Sequence, residues 1–440
     1  MKKALPSPPS PKKICLVSLY SYPLFNPECK SAFGGSEVRI SIIAKELAKR
    51  DEFDVNLIVF DHGQPHVEMR DGVRIFGWTG FFGPVMLSNS IDTMTSQLEL
   101  EADHLTKSIL KLFFDLAKEI WKQLLIIFLI KPGNWFRRFM VFGDINGYSV
   151  LKSQIRLYDE VGADIYIMPG NHTIAAELVY FCKRRKRHYI FLAGSDMDYD
   201  ADHKKLADQN NIYGYPRKLL VYAIENASIH IVQNERQREL LKKYYDRSSF
   251  VVKNPIDPCL VFPKEEKPTA ILWMGKSDHR VKQPDLFLDL VEKYPHYQFI
   301  FVLNLTTPET HERCLRRAKQ MHNIEVIEYV RFEEIESVFA RAKLFINTSV
   351  LEGFPNTFLQ AAKYSVPILS LQVDPGGMLA KYRCGINCHG DLNRLGVELE
   401  KLMSDSNEYD TLSTNCRDYV LRFHAKDVVI SQYEDIIRAL

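Results

Sequence analysis

This chain of 440 residues has little net charge: 57 Lys and Arg against 55 Asp and Glu give +2. No global pull toward nucleic acid or acidic partners follows. Cysteine is sparse, eight residues scattered without a dense framework. No secretory signal accompanies them, so a reducing cytoplasm is the expected location. The continuous apolar run at 124–130 falls well short of the roughly 20 residues a membrane-spanning helix needs. No Gly-x-Ser-x-Gly or His-Glu-x-x-His motif occurs, and no short internal repeat is present. Cys384, Cys388 and His389 are metal-like in type but lack a second ligand pair, so no metal site is expected there.

What is present is a soluble, globular composition, 46% hydrophobic and 25% charged. The length exceeds one ordinary core, so two domains are expected. Residues 1–12 are rich in Pro, Ser and Lys and read as a disordered tail. Apolar strands are expected at 14–19, 55–60, 73–77, 164–168, 188–193 and 229–232, with helical patterns at 36–50, 174–185, 217–226 and 235–245. The pattern repeats beyond Asn254, with strands at 270–274, 298–303, 323–327, 344–346 and 367–371 and closing helices at 407–423 and 428–440. Alternating elements imply parallel sheets covered by helices, with ligands at the carboxyl ends of the strands. The two prolines of Asn254-Pro255-Ile256-Asp257-Pro258 mark an interdomain linker.

The segment richest in chemistry is Glu352-Gly353-Phe354-Pro355-Asn356-Thr357-Phe358-Leu359-Gln360. A carboxylate follows an apolar strand on a glycine turn. Pro355 then suits the first turn of a helix, where its missing N–H is no loss. The free N–H groups of such a helix start attract phosphate. Upstream, Trp273-Met274-Gly275-Lys276 closes another strand and Lys282 follows, two cations able to neutralise a diphosphate. Near the start, Phe33-Gly34-Gly35-Ser36-Glu37 joins a strand to a helix, where glycines let backbone approach a ligand and Ser36 suits an N-cap.

These three stretches, in this order, resemble the retaining glycosyltransferases of family 4 (glycosyl transferases group 1), which have the GT-B fold. The resemblance implies an α/β protein of two Rossmann-like, doubly wound parallel-sheet domains facing across a cleft. It spans the glycine loop and the chain from Asp164 onward. It implies an acceptor-binding domain at 13–253, a nucleotide-sugar-binding domain at 254–422, and a C-terminal helix at 423–440 crossing back to the first domain. In that family one Glu touches the donor sugar and a second, eight residues later, holds the ribose; Glu352 matches the first and Gln360 replaces the second. An Arg and a Lys bind the donor pyrophosphate; Lys276 replaces the Arg, as a point charge rather than a fork, and Lys282 matches the Lys.

The resemblance thus assigns donor binding to Gly34, Gly35, Gly275, Lys276, Lys282, Val330 and the run from Glu352 through Phe358, with Gln360 at the ribose. Glu352, Lys276 and Lys282 are the catalytic candidates, joined by Asp196 on the acceptor side. Retention in that family needs no protein nucleophile, metal or cofactor; the donor is a UDP- or GDP-linked sugar and the acceptor a glycan or lipid-linked saccharide. Two rivals stand beside this reading. Ser195-Asp196-Met197-Asp198 after a strand resembles the metal-binding Asp-x-Asp of the GT-A fold. The replacements at Lys276 and Gln360 allow a non-catalytic GT-B scaffold. His172, after another strand end, is read as a helix-start residue without a role.

One segment fits neither domain pattern. Within an insertion at about 95–145, residues 105–139 carry a polar stripe, Lys107, Lys111, Lys118 and Lys122 among it, opposite Phe113, Phe114 and Trp121. It is either a helical insertion packed on the first domain or an interfacial helix on the inner face of a membrane. The basic run 183–187 reads as a helix end with favourable dipole charge, or as a contact for anionic head groups. Nucleic acid is not expected, because no aromatic stacking platform accompanies it.

Overall fold

The computed structural model describes residues 10–29, 31, 33–78, 141–145, 147–211, 214–263, 266 and 268–440. Most of the disordered tail expected at 1–12 and the amphipathic segment 105–139 lie outside the described residues. The chain divides into two compact units, residues 1–22, 48–190 and 201–228 in one and 23–47, 191–200 and 229–440 in the other. Every donor-binding and catalytic candidate named above belongs to the second unit.

Strands of the first half are β1 (Lys12–Val17), β2 (Phe53–Phe60), β3 (Val67–Arg70), β4 (Val73–Trp78), β5 (Val141–Ile145), β6 (Tyr148–Leu151), β7 (Ile165–Pro169), β8 (His188–Leu192), β9 (Ile229–Val232) and β10 (Phe250–Val251). Those of the second half are β11 (Ala270–Lys276), β12 (Phe299–Asn304), β13 (Ile324–Ile327), β14 (Ala342–Asn347), β15 (Ile368–Ser370) and β16 (Gly385–Asn387). One sheet runs β10-β9-β8-β7-β1-β2-β4-β3 and a second runs β13-β12-β11-β14-β15-β16; β5 and β6 form a separate hairpin. β1 pairs parallel with both β2 and β7.

The second sheet is parallel throughout. Numbered from β11, its order is that of a doubly wound dinucleotide-binding sheet, with the strand order reversing between β11 and β14. Both of its faces are covered. Ile271 and Trp273 enter one apolar cluster with Phe287, Phe301 and Leu344, while Leu272 and Met274 enter another with Val302, Phe345 and Phe358. The period-two alternation of a strand puts neighbours on opposite faces, so β11 has to be apolar from Ile271 through Met274.

The sequence expectations include β4 but miss β3, its antiparallel hairpin partner. Arg70 pairs antiparallel with Val73, and the two residues between them, Asp71 and Gly72, both have positive φ. That is the requirement of a two-residue type I′ turn, for which Asp-Gly is a preferred sequence. The final helix Lys426–Arg438 packs on helix Gly35–Leu47. Their junction holds Arg39, 2% exposed, which donates to Ala193 O at 3.0 Å and to the Tyr433 hydroxyl at 2.7 Å.

Candidate active site

The site is built where β11 and β14 end, at the point of strand reversal where parallel α/β sheets bind ligands. Gly275 is confined there: a Cβ would stand 2.8 Å from the Trp273 ring. Trp273 in turn donates from Nε1 to Thr348 Oγ1 at 2.9 Å, and that hydroxyl donates to Lys282 O at 2.6 Å. One buried indole therefore sets the position of both lysine-bearing segments relative to β14.

The loop between Lys276 and Lys282 is held by polar contacts. Ser277 is fully buried; its N–H reaches Asn304 O at 2.8 Å, and its oxygen accepts from Thr306 N and Thr307 N at 2.8 and 3.1 Å. Asp278 Oδ1 accepts from Arg280 N and Val281 N at 2.9 and 3.2 Å, closing an Asx turn. Val350 N then donates to Val281 O at 3.0 Å, which fastens the loop to the approach of Glu352.

Lys282 and Glu352 meet. The ammonium donates to Glu352 Oε1, and the same oxygen accepts from Ser349 Oγ at 2.8 Å. Both side chains are mostly shielded, so water screens the pair less than an exposed one. Lys276, by contrast, is exposed at the end of β11, with its Nζ 3.7 Å from the point where Gly34 would carry a Cβ. Gly34 N donates to Glu37 Oε2 at 2.8 Å. The glycine loop and the first lysine are thus neighbours, as are Gly35 and Asn356, whose Nδ2 donates to Gly35 O at 2.8 Å.

Helix Asn356–Lys363 has Pro355 as its N-cap, at φ −65° and ψ 123°, so the proline stands just before the first turn rather than within it. Phe354, Phe358 and Leu359 are buried in the core, while Asn356 and Thr357 remain partly exposed at the helix start. Gln360 is partly exposed, with its Oε1 buried and lacking a hydrogen-bond partner. Val330 packs against the same core cluster, and Tyr329 beside it is exposed. Phe33 of the glycine loop meets Phe332 edge-on at 5.7 Å. Glu336, on the helix that follows, accepts from buried Lys363 at 2.6 Å and from the Tyr364 hydroxyl at 3.0 Å. This anchors the far end of helix Asn356–Lys363.

The Asp-x-Asp reading is corrected by the contacts of the two carboxylates. Asp198 Oδ2 accepts from Gly194 N at 2.6 Å and Ser195 N at 2.9 Å, so it caps the short 3-10 helix Asp196–Tyr199. Asp196 instead pairs with Arg236 Nε at 2.9 Å. Burial pushes the Asp196 carboxyl above its usual range, against the pull of Arg236. The two acids serve separate partners, and Asp198 has a structural role.

His172 and the basic run have local partners. His172 is the N-cap residue of helix Thr173–Arg185, and its ring lies 6.2 Å from that of Tyr215. The basic run is tied down locally: Arg185 pairs with Asp159, Arg187 with Asp164, and Lys183 with Asn226. Among the described residues no group of three or more His, Cys, Asp or Glu side chains converges, Cys384, Cys388 and His389 included.

Sequence reasoning overlooked several residues around the site. Asn254, read as part of a linker, is buried and donates from Nδ2 toward Phe354 O at 3.4 Å and Asn356 Oδ1 at 3.3 Å. Its own carbonyl is bonded to His424 Nδ1 at 2.8 Å, and the His424 ring packs on Phe354 at 4.9 Å. Burial pushes His424 down to about 3, so it is neutral. Gln233 and Ser349 were also missed. The Pro-rich setting of Asn254 is a signal for a turn, and nothing in it points to a site 100 residues away.

Residues 268–405 match the family model described as Glycosyl transferases group 1. Among solved structures, the chain is similar to sucrose-phosphate synthase from Thermosynechococcus elongatus, with TM-score 0.68, 12% identity, and 97% of this chain and 98% of that one covered. It is similar to HepE from Anabaena, solved with UDP and glucose, at TM-score 0.60, 11% identity, and 98% and 100% coverage. A third is a TarM variant from S. aureus, solved with UDP, Fondaparinux and alpha-GlcNAc-glycerol, at TM-score 0.62, 11% identity, and 97% and 99% coverage. At such identities the structures establish the fold, which is GT-B, and the matched segment contains the Lys276, Lys282 and Glu352 stretches. By that fold and that domain, the protein is a glycosyltransferase of the GT-B type.

Proposed function

We propose that the protein transfers a sugar from a nucleotide-diphosphate donor, UDP- or GDP-linked, to a glycan or lipid-linked saccharide, with retention at the anomeric carbon and without a metal. The observation that carries this is the Lys282–Glu352–Ser349 cluster at the strand-reversal point of a parallel sheet. It places a cation and a hydrogen-bonded carboxylate side by side, one suited to a phosphate and the other to sugar hydroxyls. HepE and TarM, with the same fold, were solved with UDP.

In this reading the donor diphosphate draws Lys282 away from Glu352 or shares it. Lys276 and Lys282 stabilise the charge that grows on the leaving diphosphate as the glycosidic bond breaks. The N–H groups at the start of helix Asn356–Lys363 add the positive end of a helix dipole. Glu352 orients donor hydroxyls, Gln360 faces the ribose, and backbone at Tyr329–Val330 meets the base. The acceptor hydroxyl attacks from the face the diphosphate leaves, and a leaving phosphate oxygen takes its proton. Two lysines supply the charge a divalent ion supplies in a GT-A site, and no cofactor is required.

A second, sequence-borne part concerns location: residues 105–139 bring the protein to an anionic membrane surface. Flotation with anionic vesicles tests it; binding that high salt partly reverses is expected, and no binding would reject it. The transfer reading is tested by screening UDP- and GDP-sugars for hydrolysis or transfer, with and without a chelator. Turnover that survives chelation is expected. Turnover abolished by chelation would return the metal-dependent alternative, and absence of any nucleotide-sugar binding would return the scaffold.

A further inference from the structure

Gln233 follows β9 directly, at the carboxyl end of that strand, and is 5% exposed. Its backbone N–H is satisfied by Gln237 Oε1 at 2.9 Å, and Asn234, the next residue, caps helix Glu235–Tyr245 by accepting from Gln237 N at 3.0 Å. The backbone around Gln233 is therefore fixed by its own helix. The side-chain oxygen Oε1 is different: it is buried and accepts a hydrogen bond from nothing. It lies 3.0 Å from the point where Gly353 would carry a Cβ, beside the Gly194 carbonyl oxygen and Ser195. Gly353 is the residue after Glu352, so this orphaned acceptor packs against the backbone turn that carries the Glu352 carboxylate.

A buried carbonyl without a donor is destabilising, and such groups persist where a ligand or a function uses them. The chemistry narrows the ligand. An amide oxygen only accepts, so the missing partner has to donate a proton. Phosphate oxygens are acceptors and do not fit, whereas a sugar hydroxyl donates. We propose that Gln233 is a specificity-determining residue whose side-chain oxygen accepts a hydrogen bond from one hydroxyl of a substrate sugar. This rests on the sugar-transfer reading above. The hydroxyl belongs either to the donor sugar or to the acceptor sugar, and the two sources are separable by experiment.

The test uses the full chain with Gln233→Met, which keeps the length of the side chain and removes its acceptor oxygen. UDP, GDP, UDP-glucose and GDP-mannose are titrated by calorimetry, and methyl glycosides serve as acceptor probes in turnover. For a hydroxyl of the donor sugar, the nucleotide sugar binds about tenfold more weakly and the free nucleotide is unchanged. For a hydroxyl of the acceptor, donor binding is unchanged and the acceptor KM rises about tenfold. Either result is accompanied by an unchanged or raised melting temperature, since an orphaned acceptor has left the core; a residue with only a structural role would lower it. A deoxy-sugar series on the wild-type protein makes the same test without a variant, with one hydroxyl whose removal weakens binding or raises KM about tenfold. Unchanged donor affinity and acceptor KM in Gln233→Met, with no sensitive position in the deoxy series, overturn the proposal. If wild-type protein binds no nucleotide sugar, the transfer reading fails and this proposal falls with it.

Discussion

Gly353 leaves no room for a side chain against Gly194: a Cβ on Gly353 would stand 2.3 Å from the Gly194 carbonyl oxygen. That distance is far inside van der Waals contact, and the atom met is backbone. Gly194 is itself held, since its N–H donates to Asp198 Oδ2 at 2.6 Å. The turn that carries Glu352 therefore depends on glycine because of what lies opposite it.

Gly353→Ala is expected to lower stability by about 1–3 kcal/mol, the usual range for forcing extra volume into a packed site. It should also displace Glu352 and weaken nucleotide-sugar binding. Gly34→Ala is the contrast, because the atom met there is the end of the flexible Glu37 side chain at 2.9 Å. Thermal unfolding of the two variants checks this. Equal melting temperatures would show that the 353 turn can yield.

Gln360 offers a buried oxygen without a partner on helix Asn356–Lys363, whose start we propose as part of the phosphate site. If that oxygen faces the ribose, Gln360→Glu gives a charge-assisted bond in place of a neutral one, and nucleotide affinity tightens by about 1 kcal/mol. Calorimetry with UDP and GDP measures it. Unchanged affinity for both would place the side chain away from the nucleotide.

His424 makes stability depend on pH. It is buried and bonded to Asn254 O, and burial holds it at about 3 against an ordinary 6.5. Below 6.5 the unfolded chain takes up a proton that the folded chain refuses. The stabilisation is complete above pH 6.5 and is lost as pH falls toward 3, at about 1.4 kcal/mol per pH unit. Urea midpoints between pH 7 and about 4.5 should show a shallower pH slope for His424→Phe than for wild type. Parallel slopes would mean that His424 is protonated in the folded state.

How much was legible in the sequence varies by element for physical reasons. β9 and the helices Arg217–Asn226 and Glu235–Tyr245 lie where their patterns place them. β9 is mostly apolar, Ile229, Ile231 and Val232 flanking a buried His230, and the two helices carry apolar stripes at helical spacing. β3 was missed because its exposed and half-buried positions include Glu68 and Arg70, which do not read as strand; the Asp71-Gly72 turn was the available signal. The three motif stretches were legible as motifs. The partners inside the site were not: the Lys282–Glu352 contact joins residues 70 apart, and Gln233 acquires meaning only when Gly353 packs beside it. Asp198 misled, because a carboxylate that caps a 3-10 helix and one that holds a metal look alike in a sequence.

The central claim is that Lys282 and Glu352 together form the donor site, and calorimetric titration of wild type, Lys282→Ala and Glu352→Ala tests it most directly. Each protein is titrated with the free nucleotide diphosphate and with the matching nucleotide sugar. Lys282→Ala is expected to weaken both ligands by about 1.5–3 kcal/mol, the range for a hydrogen bond to a charged group. Glu352→Ala is expected to weaken mainly the part of binding that the sugar adds, while the free nucleotide, now met by an uncompeted Lys282, binds at least as well as before. Wild-type affinity for both ligands in both variants would contradict the account.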